Sequence, residues 1–356
     1  MNDNVNSARP LSLSSHPSSL IPDPSSFDGL LLLSYGGPEG PDDVMPFLEN
    51  VVRGKNVPRA RLLEVARHYE PFGGVSPINA QNRSLLVALV DELNAHGPRL
   101  PVYWANRNWH PLLPDVLRQM TEDGVERALA LVTSAFGSYP GCRQYQEDIQ
   151  RARQEIGPEA PRIEKLRLFY NHPGFIEAMT DRVWDALEQC APQGQRQEVR
   201  LIFTAHSIPV AMAASAPYES QLREACRLVA ERLKVDAWDL VYQNRSGPPS
   251  APWLVPDIRD HLRLLAAAGE VRSAVIAPIG FLSEHVEIVY DLDIEVQALC
   301  DDLGLSMVRS GVVGCHPRFV RMVRELVMER LDESAPRLAV GSHGPWPDQC
   351  PAGCCR

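Results

Sequence analysis

SAVIAPIGFLSEHVEIVYDLDIE, residues 273–295, is the stretch from which the fold is read. Its first seven residues are rich in β-branched side chains and lack polar alternation. That pattern predicts a strand buried on both faces of a parallel sheet. Gly280 breaks the run, and Ser283 is placed to cap a following helix. On that helix Glu287, Asp291 and Glu295 fall at i, i+4 and i+8 and share one face. Like charges at this spacing repel by about 0.2–0.5 kcal/mol per pair on an exposed helix. Such a row points to a cation or to shared protons. The plainer alternative is a solvated acidic face, with Glu284 and Glu287 favoured by the helix N-terminal dipole.

A second segment weighs against the plainer alternative. VRLIFTAHSIP, residues 199–209, also reads as a buried strand, and it ends in His206. In open α/β sheets the carboxyl edge of the strands is where ligands bind. Moving outward, GLLLLSY (29–35), LPVYWA (100–105), ALALVTS (128–134), 163–168, 240–243 and 306–309 give further strands. Helical periodicity is predicted over 84–95, 112–121, 173–189, 218–233, 256–268 and 317–331, with two short helices over 42–57 and 58–70. A turn at 134–144 leads into a helix carrying Tyr145. Strands alternating with helices predict two Rossmann-like α/β domains, each a parallel sheet flanked by helices, with a cleft between them. We expect a disordered leader over 1–27, a first domain over 28–168 joined by the helix 317–331, a second over 169–316, and a tail over 332–356. The GGPEGP turn after the first strand has the wrong spacing for a dinucleotide fingerprint and has prolines where the helix would open.

Taken together, TAHSIP and FLSEHVEIVYDLDIE resemble the ferrochelatase family. LLLLSYGGP (30–38), HYEPFGGVSPIN (68–79), YQNRSGPPSAPWLVP (242–256) and GFLSEH (280–285) resemble that family's blocks in the same order. The resemblance covers roughly residues 29–331 and implies a chelatase-like fold and insertion of Fe²⁺ into a porphyrin. His206 and Glu287 stand at the family's catalytic motif positions. An imidazole can ligate Fe²⁺ or take a proton, and so can a carboxylate, so the division of labour stays open. Asp291 and Glu295 would extend a carboxylate path for metal or protons, or hold a hard cation such as Mg²⁺. The resemblance puts Tyr35, Ser76 and Tyr145 against the porphyrin, with Tyr35 able to approach the metal as a phenolate-type ligand. Arg53, in a basic group beside apolar residues, could pair with the ligand's carboxylates, and Trp253 and Phe281 would supply flat apolar walls. His285 is placed to hold Glu287 from behind. His68, His110, His172, His261 and His316 read as structural.

The chain has 356 residues, a net charge of −10 and 44% hydrophobic residues. Nothing basic enough to neutralise a phosphate backbone is present, which excludes nucleic acid as a partner. No apolar run approaches the roughly 20 residues of a membrane span, and the first residues lack a signal peptide's apolar core. We expect a soluble cytoplasmic protein. Eight scattered cysteines do not form a secreted disulfide framework. Cys350, Cys354 and Cys355 crowd the final residues, three thiols where a closed iron–sulfur or zinc site takes four. Candidates for the fourth are Cys142, Cys190, Cys226, Cys300 and Cys315, and Cys142 lies in a turn from which a thiolate can reach outward. This layout resembles ferrochelatases, including actinobacterial ones, that hold a 2Fe–2S cluster on one internal and three C-terminal cysteines. The tail and the lack of an anchor suggest coproporphyrin III as substrate and coproheme III as product, passed to a downstream coproheme-using enzyme. Protoporphyrin IX is the alternative substrate. A non-catalytic tetrapyrrole or iron carrier on the same fold and a cobalt or sirohydrochlorin chelatase of a related fold are the alternative readings. Where the family's coproporphyrin enzymes carry an arginine before the basic loop, this chain has Val52 beside Arg53.

Overall fold

The computed structural model describes residues 27–191, 199–247, 251–351 and 353–355. β1 (Gly29–Ser34) is leucine on both faces and fully buried, so it lies inside a sheet and not at its edge. It is followed by α1 (Pro41–Val51), α2 (Arg59–Ala66), a 3₁₀ turn (Arg67–Phe72) and α3 (Ile78–His96). β2 (Val102–Asn106), α4 (Leu113–Glu122) and β3 (Arg127–Val132) come next. A π-turn (Tyr139–Arg143) then opens α5 (Gln144–Ile156), which leads to β4 (Arg162–Lys165). The four strands pair in parallel in the order β2-β1-β3-β4.

The second half repeats this plan. α6 (Pro173–Cys190) leads to β5 (Val199–His206), α7 (Val210–Ala214), α8 (Tyr218–Leu233) and β6 (Trp238–Gln243). α9 (Ile258–Ala268), β7 (Ser273–Ala277) and α10 (Val286–Tyr290) follow. A π-helical segment (Asp291–Val296), α11 (Gln297–Leu303), β8 (Ser306–Arg309) and α12 (Pro317–Leu331) complete it. Its parallel sheet runs β6-β5-β7-β8, the same order of first, second, third and fourth strands as before. The architecture is therefore α/β with two parallel four-stranded sheets flanked by helices.

Period-two alternation sends the β1 side chains to two cores. Leu31 and Leu33 pack with Leu117 of α4 and Ile149 of α5. Leu30 and Leu32 face inward and belong to one continuous core with Phe175 and Met179 of α6, Phe319 and Val323 of α12, and Leu201 and Phe203 of β5. The two sheets thus share their largest core, with α12 packed on both α6 and α3. A separate apolar group joins Phe47 of α1, Leu62 of α2 and Tyr69 to Val286 of α10, which brings the first helical hairpin across to the second half.

Two expectations change. The acidic helix is not one α-helix capped by Ser283. Ser283 is buried, His285 occupies the N-cap, and the wider π-turn interrupts the helix after Tyr290. Charge partners on other elements accompany the irregular turn: Arg309 holds Asp293 at 2.5 Å and Arg259 holds Glu295 at 3.2 Å. Of the segment 1–27, all but Phe27 lies outside the described residues. Phe27 itself is buried, with the Arg127 and Arg330 guanidiniums over its ring at 4.6 and 5.2 Å.

The tail is tied down along its length. Val340 N–H donates to the Asn171 carbonyl at 2.8 Å, and Asn171 Nδ2 to the Gly344 carbonyl at 2.7 Å. Arg167 forms a two-pronged pair with Glu329 at 2.7 and 2.8 Å and also donates to the Leu338 carbonyl at 2.8 Å. Both charged side chains are 1% exposed. Removing one member of such a pair leaves the other charge buried alone, at a cost of about 3–5 kcal/mol. We expect Glu329→Ala to lower the unfolding free energy measured in urea by that amount, and Arg167→Met/Glu329→Met to recover most of it. A double variant as unstable as the single one would show that the pair does not carry the loss.

Candidate active site and the cysteine pairs

His206 is the last residue of β5, and the sheet sets it opposite Gln243 of β6. The turn after β7 closes on it because residue 280 is glycine: a Cβ there would lie 2.6 Å from the Cβ of Ala205. The His206 Nδ1 is 2.5 Å from the Ser207 carbonyl. That contact assigns the proton to Nδ1 and leaves the lone pair on Nε2. Nε2 faces Glu287 Oε2 at 3.6 Å, beyond direct hydrogen-bond range. The two side chains are 31% and 42% exposed, so an arriving ion or proton can reach the gap between them. The Tyr218 hydroxyl donates to the His206 carbonyl at 2.9 Å and anchors this strand end from α8.

Behind Glu287 stands Asp291, half-buried, with Gln243 Nε2 at 3.5 Å from its Oδ2. Burial, then the charges of Glu287 and Glu295, push its carboxyl up to about 8. It therefore holds a proton at neutral pH. Glu295 is partnered by Arg259, which also pairs with Asp257 at 3.2 Å. Among the described residues, no group of three or more His, Cys, Asp or Glu side chains is set to hold a metal ion. The expected Mg²⁺ site at Asp291 and Glu295 is not supported, because Arg259 already neutralises its outer carboxylate. His285 does not reach Glu287 by a hydrogen bond. Its ring packs edge-on to Phe281 at 5.1 Å, and burial lowers its affinity for a proton.

Tyr35 follows β1 and packs edge-on to Phe47 at 6.2 Å. Burial and the nearby Glu287 raise its phenol far above the ordinary value. The phenol is thus protonated in the metal-free protein, and phenolate ligation requires a cation to displace that proton. Tyr69 feels Glu287 and Tyr35 in the same way, so these groups share one space. Tyr145 is buried on α5. Ser76 is buried against the Gly36-Gly37 turn, where a Cβ on Gly37 would stand 2.6 Å from its own Cβ. Arg53 lies apart, exposed and bonded to Asn50. Phe281 sits in the second half's outer core with Ile202, Val241 and Ile288. Trp253 is half-buried beside Pro209, with its indole N–H lacking a partner among the described residues.

The cysteines gather as two pairs. Cys142, in the π-turn, shares a hydrogen bond with Cys350. Lys165 Nζ donates to the Cys142 Sγ and carbonyl, both at 3.0 Å. The bond from Cys350, then Lys165, brings Cys142 down to about 6 and Cys350 up, so this pair ionises at Cys142. Cys354 Sγ and Cys355 Sγ are 3.6 Å apart. Cys355 N–H donates to the Ser215 carbonyl and its own carbonyl accepts from Arg143, each at 3.0 Å. The first pair lines a small cavity whose walls also include Lys165 and Trp346. The other candidates for a fourth thiol stand elsewhere: Cys226 and Cys300 are core residues, and burial raises the thiols of Cys190 and Cys315.

A sequence model of ferrochelatase matches residues 27–331. The chain belongs to the ferrochelatase family. It is 55% identical over 329 residues to a ferrochelatase of Rhodopirellula baltica, covering 92% of this chain and 93% of that one. It is 50% identical over 355 residues to a coproporphyrin III ferrochelatase of Streptomyces griseus, covering 94% of each. A coproporphyrin III ferrochelatase of Nocardia farcinica is 51% identical over 340 residues, 92% of this chain and 96% of that one. In fold it is similar to SirB from Bacillus subtilis with Fe³⁺, at a TM-score of 0.53 and 13% identity, covering 89% of this chain and 100% of that one.

Two parts of this candidate site escaped the sequence reading. Arg107, just after β2, is almost fully enclosed, with its guanidinium 4.4 Å over Tyr145, 5.9 Å from the Tyr35 ring and 2.5 Å from Asp148. It braces both tyrosines. His68, read as structural, lies flat on Tyr290 of α10 at 4.1 Å and 6°, joining the first helical hairpin to the acidic segment. Neither contact has a local signal, since each joins residues from distant elements.

Asp291 makes a pH test. Its folded carboxyl titrates near 8 and an unfolded one near 3.8, so the folded state is penalised increasingly as pH rises between those values. In metal-free protein, Asp291→Asn should leave Tm unchanged near pH 4 and raise it by a few degrees near pH 8. An equal gain at both pH values would rule out a raised Asp291.

Proposed function

We propose that this chain inserts Fe²⁺ into coproporphyrin III to give coproheme III. Two pyrrole N–H protons leave as the metal enters. The observation that carries the reading is the His206–Glu287 pair, 3.6 Å apart at the carboxyl edge of β5 and reachable from outside. The His206 Nε2 lone pair and the Glu287 carboxyl group can each accept a proton or bind the ion. Asp291, protonated at neutral pH, can pass a proton onward once it takes one from Glu287 in exchange for its own. Tyr35, Tyr145, Ser76 and, across the half-buried rim, Trp253 supply the apolar and hydroxyl-bearing wall for the macrocycle. Arg53 and Phe281 contribute at its margins. Coproporphyrin is favoured over protoporphyrin IX by relatives about half identical along nearly the whole chain that are named for it. We divide the chain functionally at 168/169, with α12 returning to the first half. The product then passes to a coproheme-using enzyme. No helix among the described residues is long and apolar enough to cross a membrane, which fits a cytoplasmic reaction.

Mixing the protein anaerobically with Fe²⁺ and each porphyrin tests this. Coproporphyrin bands should disappear rapidly and protoporphyrin bands slowly, while His206→Ala binds porphyrin without inserting metal. Equal consumption of both would replace this reading with that of a general ferrochelatase. Binding of both without insertion by the unaltered protein would replace it with the carrier.

We infer further that Cys142, Cys350, Cys354 and Cys355 hold a 2Fe–2S cluster. Each iron of such a cluster takes two protein thiolates, so two pairs suit it where a single-ion site would need a closer group. Once bound, the cluster supplies one-electron redox capacity. Lys165 favours the thiolate of Cys142 and stands ready to compensate the added negative charge. Cys142→Ser should abolish the visible cluster absorption of the anaerobically purified protein. Survival of the colour would assign the fourth ligand elsewhere.

A further inference from the structure

Gln243 closes β6 and is 1% exposed. Its main-chain carbonyl accepts from the N–H of Ser207, the residue after His206, at 2.8 Å. Its side-chain Nε2 donates to the Glu287 carbonyl at 3.0 Å. One residue therefore grips both the strand end that presents His206 and the first turn of the helix that presents Glu287. The chain joins β7 to α10 through a turn without regular structure, residues 278–285, whose other ties are Gly280 N–H to the Thr204 carbonyl at 3.0 Å and Glu284 N–H to Gln81 Oε1 at 2.7 Å.

The other half of the amide makes the choice of residue informative. Gln243 Oε1 is buried without a hydrogen-bond partner among the described residues. Leaving a buried acceptor unpaired costs stability. Methionine has nearly the same shape and would avoid that cost. A glutamine here is disadvantageous to packing unless its donor half is needed.

We propose that Gln243 is a positioning residue that sets the spacing between the His206 imidazole and the Glu287 carboxylate. It acts through the backbone on both sides, and its side chain contacts neither reacting group. Small displacements of reacting groups cost rate steeply. Porphyrin affinity should be little affected, because Tyr35, Ser76 and Tyr145 hang on other elements and only Trp253 follows β6. The inference rests on His206 and Glu287 being the reacting groups.

The test compares Gln243→Met, Gln243→Glu and His206→Ala with the unaltered enzyme. For Gln243→Met we expect kcat to fall about tenfold or more, porphyrin KM to stay within about twofold, and Tm to be equal or higher. Gln243→Glu keeps the size but loses the donor when ionised, so its kcat should fall at least as far. A kcat within about twofold of the unaltered enzyme in Gln243→Met, with His206→Ala inactive, overturns this inference alone. Full turnover by His206→Ala would instead remove the reading beneath it. A fall in kcat matched by a fall in Tm or in folded protein, or failure of both Gln243 variants to fold, would make the residue structural and overturn the proposal.

Discussion

The parallel pairing of β5 with β6 on one side and β7 on the other is the constraint on which the site depends. That register puts His206 level with Gln243 and brings the turn at Gly280 against Ala205. A slip of one residue would turn His206 to the opposite face. It would also bury Arg200 of β5, which now reaches sideways to Asp239 of β6 at 2.6 Å. The charged pair and the apolar face thus hold the same alignment by independent means.

Much of the fold could be read from local pattern. The buried strands are short, apolar and punctuated by Gly or polar residues, and α8, α12 and β8 fall where periodicity puts them, with a proline at the start of each of the two helices. The expectation of two similar halves agrees with their identical strand orders, though the halves share a core where a simple two-domain picture has a seam. What pattern could not reach is what the acidic segment does after Tyr290. Its π-turn is accompanied by Gln243, Arg259 and Arg309, side chains supplied by β6, α9 and β8. Arg107 and His68 were unreadable for the same reason. A lone strand-end arginine or a lone histidine has no local sign of the ring it will cover.

The charges show where folding constraints relax. Most acidic groups near the site have a basic partner: Asp293 and Glu284 share Arg309, Glu295 has Arg259, and Asp148 has Arg107. Glu287 and Asp291 have no arginine or lysine paired directly with them, and burial, then the charges of Glu287 and Glu295, raises the Asp291 carboxyl. A stability-optimised chain would place a cation there. The uncompensated pair is therefore suited to accept a positive charge from outside, whether metal or proton.

The shared core has a mechanical consequence. For the two sheets to rock as jaws, Phe175, Phe203 and Phe319 would have to slide past one another in a close-packed interior that resists compression. The walls bearing Tyr35 and His206 are therefore a stiff frame of fixed width. Compliance is left to the elements that cross the opening: the short helices of the first hairpin, the His68–Tyr290 stack and the irregular acidic turn. A flat, rigid ring entering such a frame meets a support that does not yield. The strain of distortion then falls on the ring and not on the protein.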